Sequence, residues 1–142
     1  MSMTKLRAEV RGDTAGGAAA RTSVAVIGGG AAGMMTAATA ARLGAAVTLF
    51  EREEKRGRKL GITGKGRCNL TNDCTRDEFL ENVPRNPRFM FASFAAFGPH
   101  DVKEYFEGLG VPLKVERGRR VFPVSDRAGD IVFALAREVD SS

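Results

Sequence analysis

An α/β fold follows from three features of the sequence. "SVAVI" and "AVTLF" are short apolar runs of strand length, and an alanine-rich stretch of helical length lies between them. Glycines stand at the strand-to-helix junction in the pattern G-x-G-x-x-G. Downstream, amphipathic helical segments and one hairpin pattern follow, with no internal repeat and no interdomain linker. The chain has 142 residues, 43% of them hydrophobic and 27% charged, which suits one globular domain with one core.

The first 22 residues are small and polar, without periodicity or the continuous apolar stretch of a signal peptide. They read as a disordered leader on a cytoplasmic protein, residues 23–142 forming the domain. Glu9 and Asp13 argue against an organellar transit peptide. No apolar run reaches membrane-spanning length, so no membrane partner is expected.

Val24 to Ile27 form a continuous apolar run, the pattern of a strand buried on both faces. "AAGMMTAATAARLG" predicts a helix from Ala31 to Leu43 with Gly44 just beyond its end. "AVTLFE" is the second buried strand, ending at Glu51. Two such strands joined by a helix form a right-handed βαβ unit with parallel strands, a Rossmann-like arrangement. A structureless basic, glycine-rich stretch then runs to about Thr75; its length and its anchors Leu60, Ile62 and Leu70 mark it as an ordered binding loop.

"RFMFASFAAF" places Met90, Phe94 and Phe97 on one helical face, with Phe91 beside them, all read as core. "HDVKEYFEGLG" is a helix with Asp101 and Glu104 at capping-box spacing, closed by Gly110. "PLKVERGRRVFPV" is a hairpin turning near Arg117 and Gly118. Ser125 is the expected cap of a last helix that turns Ile131, Val132, Leu135 and Val139 inward.

The chemistry lies in the glycines. Gly28 permits the tight turn, Gly30 lets a pyrophosphate approach the backbone, and Gly33 lets helix and strand pack closely. The pyrophosphate would sit at the helix N-terminus, where free N–H groups and the helix dipole favour negative charge. Glu51, eighteen residues after Gly33, is placed to accept hydrogen bonds from adenosine ribose hydroxyls. A carboxylate there disfavours a 2′-phosphate, leaving NAD or FAD. The long basic loop favours the more extended FAD: Arg58 and Lys59 could meet its pyrophosphate or adenosine end, and Gly64, Gly66, Arg67 and Asn69 its flavin end.

"VIGGGAAGMMTAATAARLGAAVTLFE" followed by "GRKLGITGKGRCNLTN" resembles the BaiN-type family of bacterial FAD-dependent oxidoreductases, described also as NAD(P)/FAD-dependent or aminoacetone-oxidase-like flavoproteins. "ERGRRVFPVSDRAGDIV" resembles that family's next block. The resemblance implies FAD contacts at Ala32, Glu51, Arg58, Lys59, Gly64, Arg67, Cys68, Asn69 and Thr71. Gly28, Gly30, Ala31, Gly33 and Arg52 complete the candidate set. It further implies hydride transfer between flavin N5 and NAD(P)H or a small organic substrate. Family members are longer, returning to the FAD domain after an inserted substrate domain, so this chain is expected to be the N-terminal part of a truncated FAD-binding domain.

Other constellations are weaker. Cys68 and Cys74 lack the spacing of a disulfide-reductase pair, and two cysteines suit a reducing compartment. His100 is the single histidine, so no metal site is expected. No catalytic acid or base is legible. The rivals are an NAD-binding module and a nucleic-acid binder. The formal charge is +5, and six Lys/Arg fall between Lys55 and Arg67 without an acid. That stretch has no aromatic residue for base stacking, and no nucleic-acid partner is expected.

Overall fold

The computed structural model describes residues 21–141. All but the last two residues of the expected leader lie outside that range. The chain divides into two compact units, one built from residues 21–61 with 132–141, the other from 62–131.

The first unit is the βαβ motif. Strand β1 (Ser23–Ile27) pairs in parallel with β2 (Ala46–Phe50), in a register that sets Ser23 beside Ala46 and Ile27 beside Phe50. Helix α1 (Ala31–Arg42) connects them and turns Met34, Ala37 and Ala38 onto Val26, Val47 and Leu49. Alanines on that face keep the helix close to the sheet. Two bonds close α1: the Gly44 N–H donates to Ala41 and the Ala45 N–H to Ala40, a Schellman pair. The last helix, α6 (Ala128–Ser141), supplies Leu135 and Val139 to this core and sets Val132 against Gly57. Arg42 contacts Glu138, and Arg56 forks onto Asp140 at 2.9 and 2.7 Å.

β1 departs from the expectation of burial on both faces. Val24 and Val26 turn inward, while Ala25 is exposed and Ile27 is 81% exposed. Among the described residues the sheet of this unit has two strands, and α1 covers one face. A continuous apolar run cannot by itself say how many faces are covered.

The basic stretch after β2 is not structureless. It forms a short helix α2 (Arg58–Ile62), a 3₁₀ turn (Thr63–Gly66) and a two-residue strand β3 (Thr71–Asn72). In the second unit β3 pairs antiparallel with β5 (Arg120–Pro123), which pairs antiparallel with β4 (Leu113–Glu116), giving the order β3-β5-β4. The hairpin turns through Arg117, Gly118 and Arg119, as expected. Val121, Phe122, Ile131 and Cys68 are fully buried here, with Leu80, Phe106 and Val111 around them.

Helix α3 (Arg76–Glu81) opens on a capping box: the Glu78 N–H donates to Thr75 Oγ1, and the Thr75 N–H to Glu78 Oε2. The expected single helix over "RFMFASFAAF" is instead a 3₁₀ turn (Pro87–Met90) leading into a short α4 (Phe91–Ala96). Met90 and Phe94 are half-buried, whereas Phe89, Phe91 and Phe97 are exposed rather than core. Helix α5 (Pro99–Gly108) begins earlier than the capping spacing suggested. Gly98 is its N-cap, Pro99 its first residue, and the Asp101 carboxylate accepts the Gly98 N–H at 2.6 Å. Ser125 lies ahead of α6 and accepts the Arg127 N–H at 3.3 Å, so it shapes the approach to the helix rather than capping it.

Candidate cofactor site

The turn from β1 into α1 carries the fingerprint, and the structure gives its glycines different reasons. Gly28 sits at φ +101°, a conformation open to glycine, and its N–H reaches the Phe50 carbonyl at 2.7 Å. A Cβ on Gly33 would lie 1.8 Å from the Gly28 carbonyl oxygen, so only glycine allows this approach. Gly30 faces open space: a Cβ there meets nothing within 4 Å. The first intrahelical bond runs from the Met34 N–H to Gly30, leaving the N–H groups of Ala31, Ala32 and Gly33 ahead of it. No side chain caps this end, no acid stands in the first turn, and Ala31 and Ala32 are exposed. The helix therefore presents an open, uncapped N-terminus with free N–H groups.

Glu51 is tied directly into that turn. Its Oε2 accepts the Gly29 N–H at 2.6 Å, and its Oε1 accepts the N–H groups of Arg52 at 2.6 Å and Glu53 at 2.9 Å. The amides of Glu53 and Gly29, with that of Arg52, hold the carboxyl below its ordinary pKa, so it is ionised at neutral pH. A carboxylate has about four acceptor positions, so one remains for a ribose hydroxyl. Gly29 matters too, which the pattern did not disclose. A Cβ on it would lie 2.9 Å from Arg56 Cγ and 3.0 Å from Glu51 Oε2. Arg52 and Lys59 are exposed, and Arg58 on α2 reaches Glu53 at 3.2 Å.

The remaining candidates lie in the second unit. Gly64, at φ +57°, presses against the Asn69 amide nitrogen and the Phe122 ring. Arg67 is not a free cation, because its Nη1 donates to Glu116 and Asp126. Cys68 is fully buried, which pushes its thiol pKa up and leaves it protonated and unreactive. Asn69 is exposed, and Thr71 pairs with Val121 in the sheet. Cys74 is a separate free cysteine lining a cavity of about 540 Å³ with Phe79, Asn82 and Arg119. Among the described residues, His100, Asp101 and Glu104 bring donor atoms within 4.8 Å of one another; all three are exposed, and Asp101 is already engaged by Gly98.

A glycine turn pressed onto a helix N-terminus and a carboxylate held at the end of the second strand define a dinucleotide-binding Rossmann domain. The chain belongs to the HI0933-like protein Rossmann domain family, whose model matches residues 22–142. It is 36% identical over 95 residues to the 3-dehydro-bile acid delta(4,6)-reductase of Clostridium scindens, covering 67% of this chain and 22% of that protein. It is 34% identical over 105 residues to the ribosomal RNA dihydrouridine synthase of Haemophilus influenzae, covering 73% of this chain and 25% of that protein. The chain therefore spans about a quarter of the length of these curated relatives. The resemblance seen in the sequence is borne out at the level of family and cofactor: this is an FAD-binding Rossmann domain. The residues fit that cofactor, since Gly30 leaves the approach to the helix N-terminus open and Glu51 stands ionised beside it. No helix among the described residues is long and apolar enough to cross a membrane.

Proposed function

We infer that Gly28, Gly30, Ala31, Ala32 and Gly33 receive the FAD pyrophosphate, that Glu51 holds the adenosine ribose, and that Arg52, Arg58 and Lys59 balance the phosphate charge. Gly64, Arg67, Cys68, Asn69 and Thr71 belong to the loop that meets the flavin end. In the whole protein, FAD held by these residues would supply hydride exchange at flavin N5 with NAD(P)H or a small organic substrate. This chain's own residues bind and orient; none is placed as acid or base. The observation that carries the reading is the Gly29–Glu51 bond, which locks the ribose-binding carboxylate to the phosphate-binding turn. The two free cysteines suit a reducing compartment, and we place the protein in the cytoplasm.

The test is a titration of flavin-stripped protein with FAD, followed by anaerobic addition of NADH or NADPH. Stoichiometric FAD binding, and bleaching of the flavin band by one nicotinamide, is the expected result. A colourless protein that FAD does not saturate overturns the reading.

A second reading concerns the substrate of the whole protein. The Haemophilus relative is named for ribosomal RNA. Here Arg85 and Arg88 precede Phe89 in the chain, Phe89 is 78% exposed, and Arg76 lies 5.9 Å from the Phe91 ring. Exposed rings beside arginines suit stacking of unpaired bases. The basic loop suits it less, because Arg56, Arg58 and Arg67 are each paired with carboxylates. An RNA mobility shift lost in Phe89→Ala favours this reading; no shift at low salt removes it.

A further inference from the structure

Four residues between Thr63 and Cys68 lie at positive φ: Gly64 (57°), Lys65 (59°), Gly66 (84°) and Cys68 (60°). Lys65 and Cys68 carry side chains that disfavour this region, so the shape persists only where its surroundings over-determine it. Part of the restraint lies in backbone bonds and burial. The Cys68 N–H donates to Thr63 at 3.0 Å, the Leu70 N–H to Val121 at 2.9 Å, and Cys68 is sealed in the core.

The rest comes from the hairpin, through Arg67. Its guanidinium lies over the Phe122 ring, 4.1 Å from the centroid. Nη1 donates to Glu116 Oε1 at 2.9 Å, Glu116 Oε2 at 3.1 Å and Asp126 Oδ1 at 3.1 Å. Lys114 closes the group, with Nζ 2.6 Å from Asp126 Oδ2 and 3.4 Å from Glu116 Oε1. Two cations and two carboxylates share one half-buried cluster whose net charge is zero. Side-chain exposures of 29 to 42% leave them partly shielded from water, where a network outweighs an isolated surface pair. Arg67 Nη1 thus serves Glu116 and Asp126 rather than an approaching anion.

We propose that Glu116 and Asp126 are positioning residues for cofactor binding: acting through Arg67, they hold the Thr63–Cys68 loop in its ligand-ready shape before the cofactor arrives. This rests on the reading that the loop meets FAD. The idea has a sign that simple electrostatics does not share. If Arg67 served only as a cation for an anionic cofactor, removing two carboxylates would strengthen binding. If the carboxylates brace the loop, their removal weakens binding, because the loop must be ordered at the moment of association.

The experiment compares the full chain with Glu116→Gln and with the double variant Glu116→Gln/Asp126→Asn, each stripped of flavin. The dissociation constant for FAD comes from flavin fluorescence. The rate of tryptic cleavage after Lys65, identified by mass spectrometry, comes from the flavin-free protein. The brace predicts affinity weakened about tenfold in the double variant, about 1.4 kcal/mol, with cleavage several-fold faster and Glu116→Gln intermediate in both. Unchanged or tighter FAD binding overturns the proposal, and so does weakened binding with unchanged cleavage. If the double variant loses its cooperative unfolding transition, Glu116→Gln alone is judged by the same criteria. Failure of the parent protein to bind FAD removes the cofactor reading instead, and the cleavage rates still report whether the brace exists.

Discussion

Gly33→Ala sets a steric penalty against a helix-propensity gain, and the structure says which wins. The new methyl carbon would lie 1.8 Å from the Gly28 carbonyl oxygen and 3.0 Å from its carbon, where real contacts do not fall below 3.0 Å. Both partners are backbone, so neither can rotate aside, and α1 must retreat by about 1.2 Å. Overpacking of this kind costs about 1–3 kcal/mol. Replacing a helical glycine by alanine returns roughly 0.5–1 kcal/mol. A 1.8 Å contact with backbone takes the upper half of that cost, so the net is a loss of about 1–2.5 kcal/mol from the flavin-free protein, and FAD affinity falls as the helix N-terminus moves off the phosphates. Gly30→Val is the matched comparison. Its Cβ meets nothing, so flavin-free stability should stay within about 0.5 kcal/mol, while the side chain fills the space the pyrophosphate needs and flavin retention is abolished. Urea unfolding followed by circular dichroism, with FAD titration beside it, separates the two. A Gly33→Ala protein as stable as its parent would falsify the close approach, and a Gly30→Val protein carrying stoichiometric flavin would place the phosphates elsewhere.

Glu51→Ala should weaken FAD by about 1.5–3 kcal/mol, the worth of hydrogen bonds to a charged group, or roughly ten- to hundredfold. Unchanged affinity would reduce Glu51 to an anchor for the Gly29 amide. Replacing both Cys68 and Cys74 by Ser should leave reduction of bound flavin intact, since Cys68 is sealed in the core and the two are not bonded; loss of turnover with FAD still bound would revive a dithiol relay. Glu78 is pulled down to about 2 by Arg119 and then by the Thr75 amide. With the folded pKa below the unfolded one, its contribution is complete above the ordinary carboxylate range and is lost as pH falls toward 2. Glu78→Gln should therefore flatten the fall of stability between those limits, and identical acid profiles for both proteins would sink the idea.

The βαβ unit was legible because its signals reinforce one another: two apolar runs, an alanine-rich helix and glycines at the junction all predict one arrangement. The glycine turn was legible for the same reason, down to Gly33 as the closest approach. The stretch after Glu51 was not. A five-residue helix and a four-residue 3₁₀ turn are too short to show a period, and their glycines read as loop. Asp101 and Glu104 have capping spacing, but Pro99 fixes the helix start three residues earlier and draws Asp101 back onto Gly98. Arg67 shows the limit most clearly. A cation in a glycine-rich loop reads as an anion ligand, and its partners, Glu116 and Asp126, lie 49 and 59 residues away. Only tertiary structure could reveal the pairing.

One helix carries a consequence for how the protein is made. The second unit is a single continuous stretch, whereas the first recruits the latter part of α6 to complete a core begun at β1. Some seventy residues are synthesised between those two parts, about 4–14 s at ordinary elongation rates. Throughout that interval the nascent βαβ motif lacks Leu135 and Val139, as well as the Asp140 partner of Arg56. The later-made unit has all its own residues first, and the earlier-made one must wait on the ribosome with an apolar flank uncovered. Vectorial synthesis thus inverts the order in which the halves can close, and the interval before α6 emerges is when chaperone capture or proteolysis would find the cofactor-binding half.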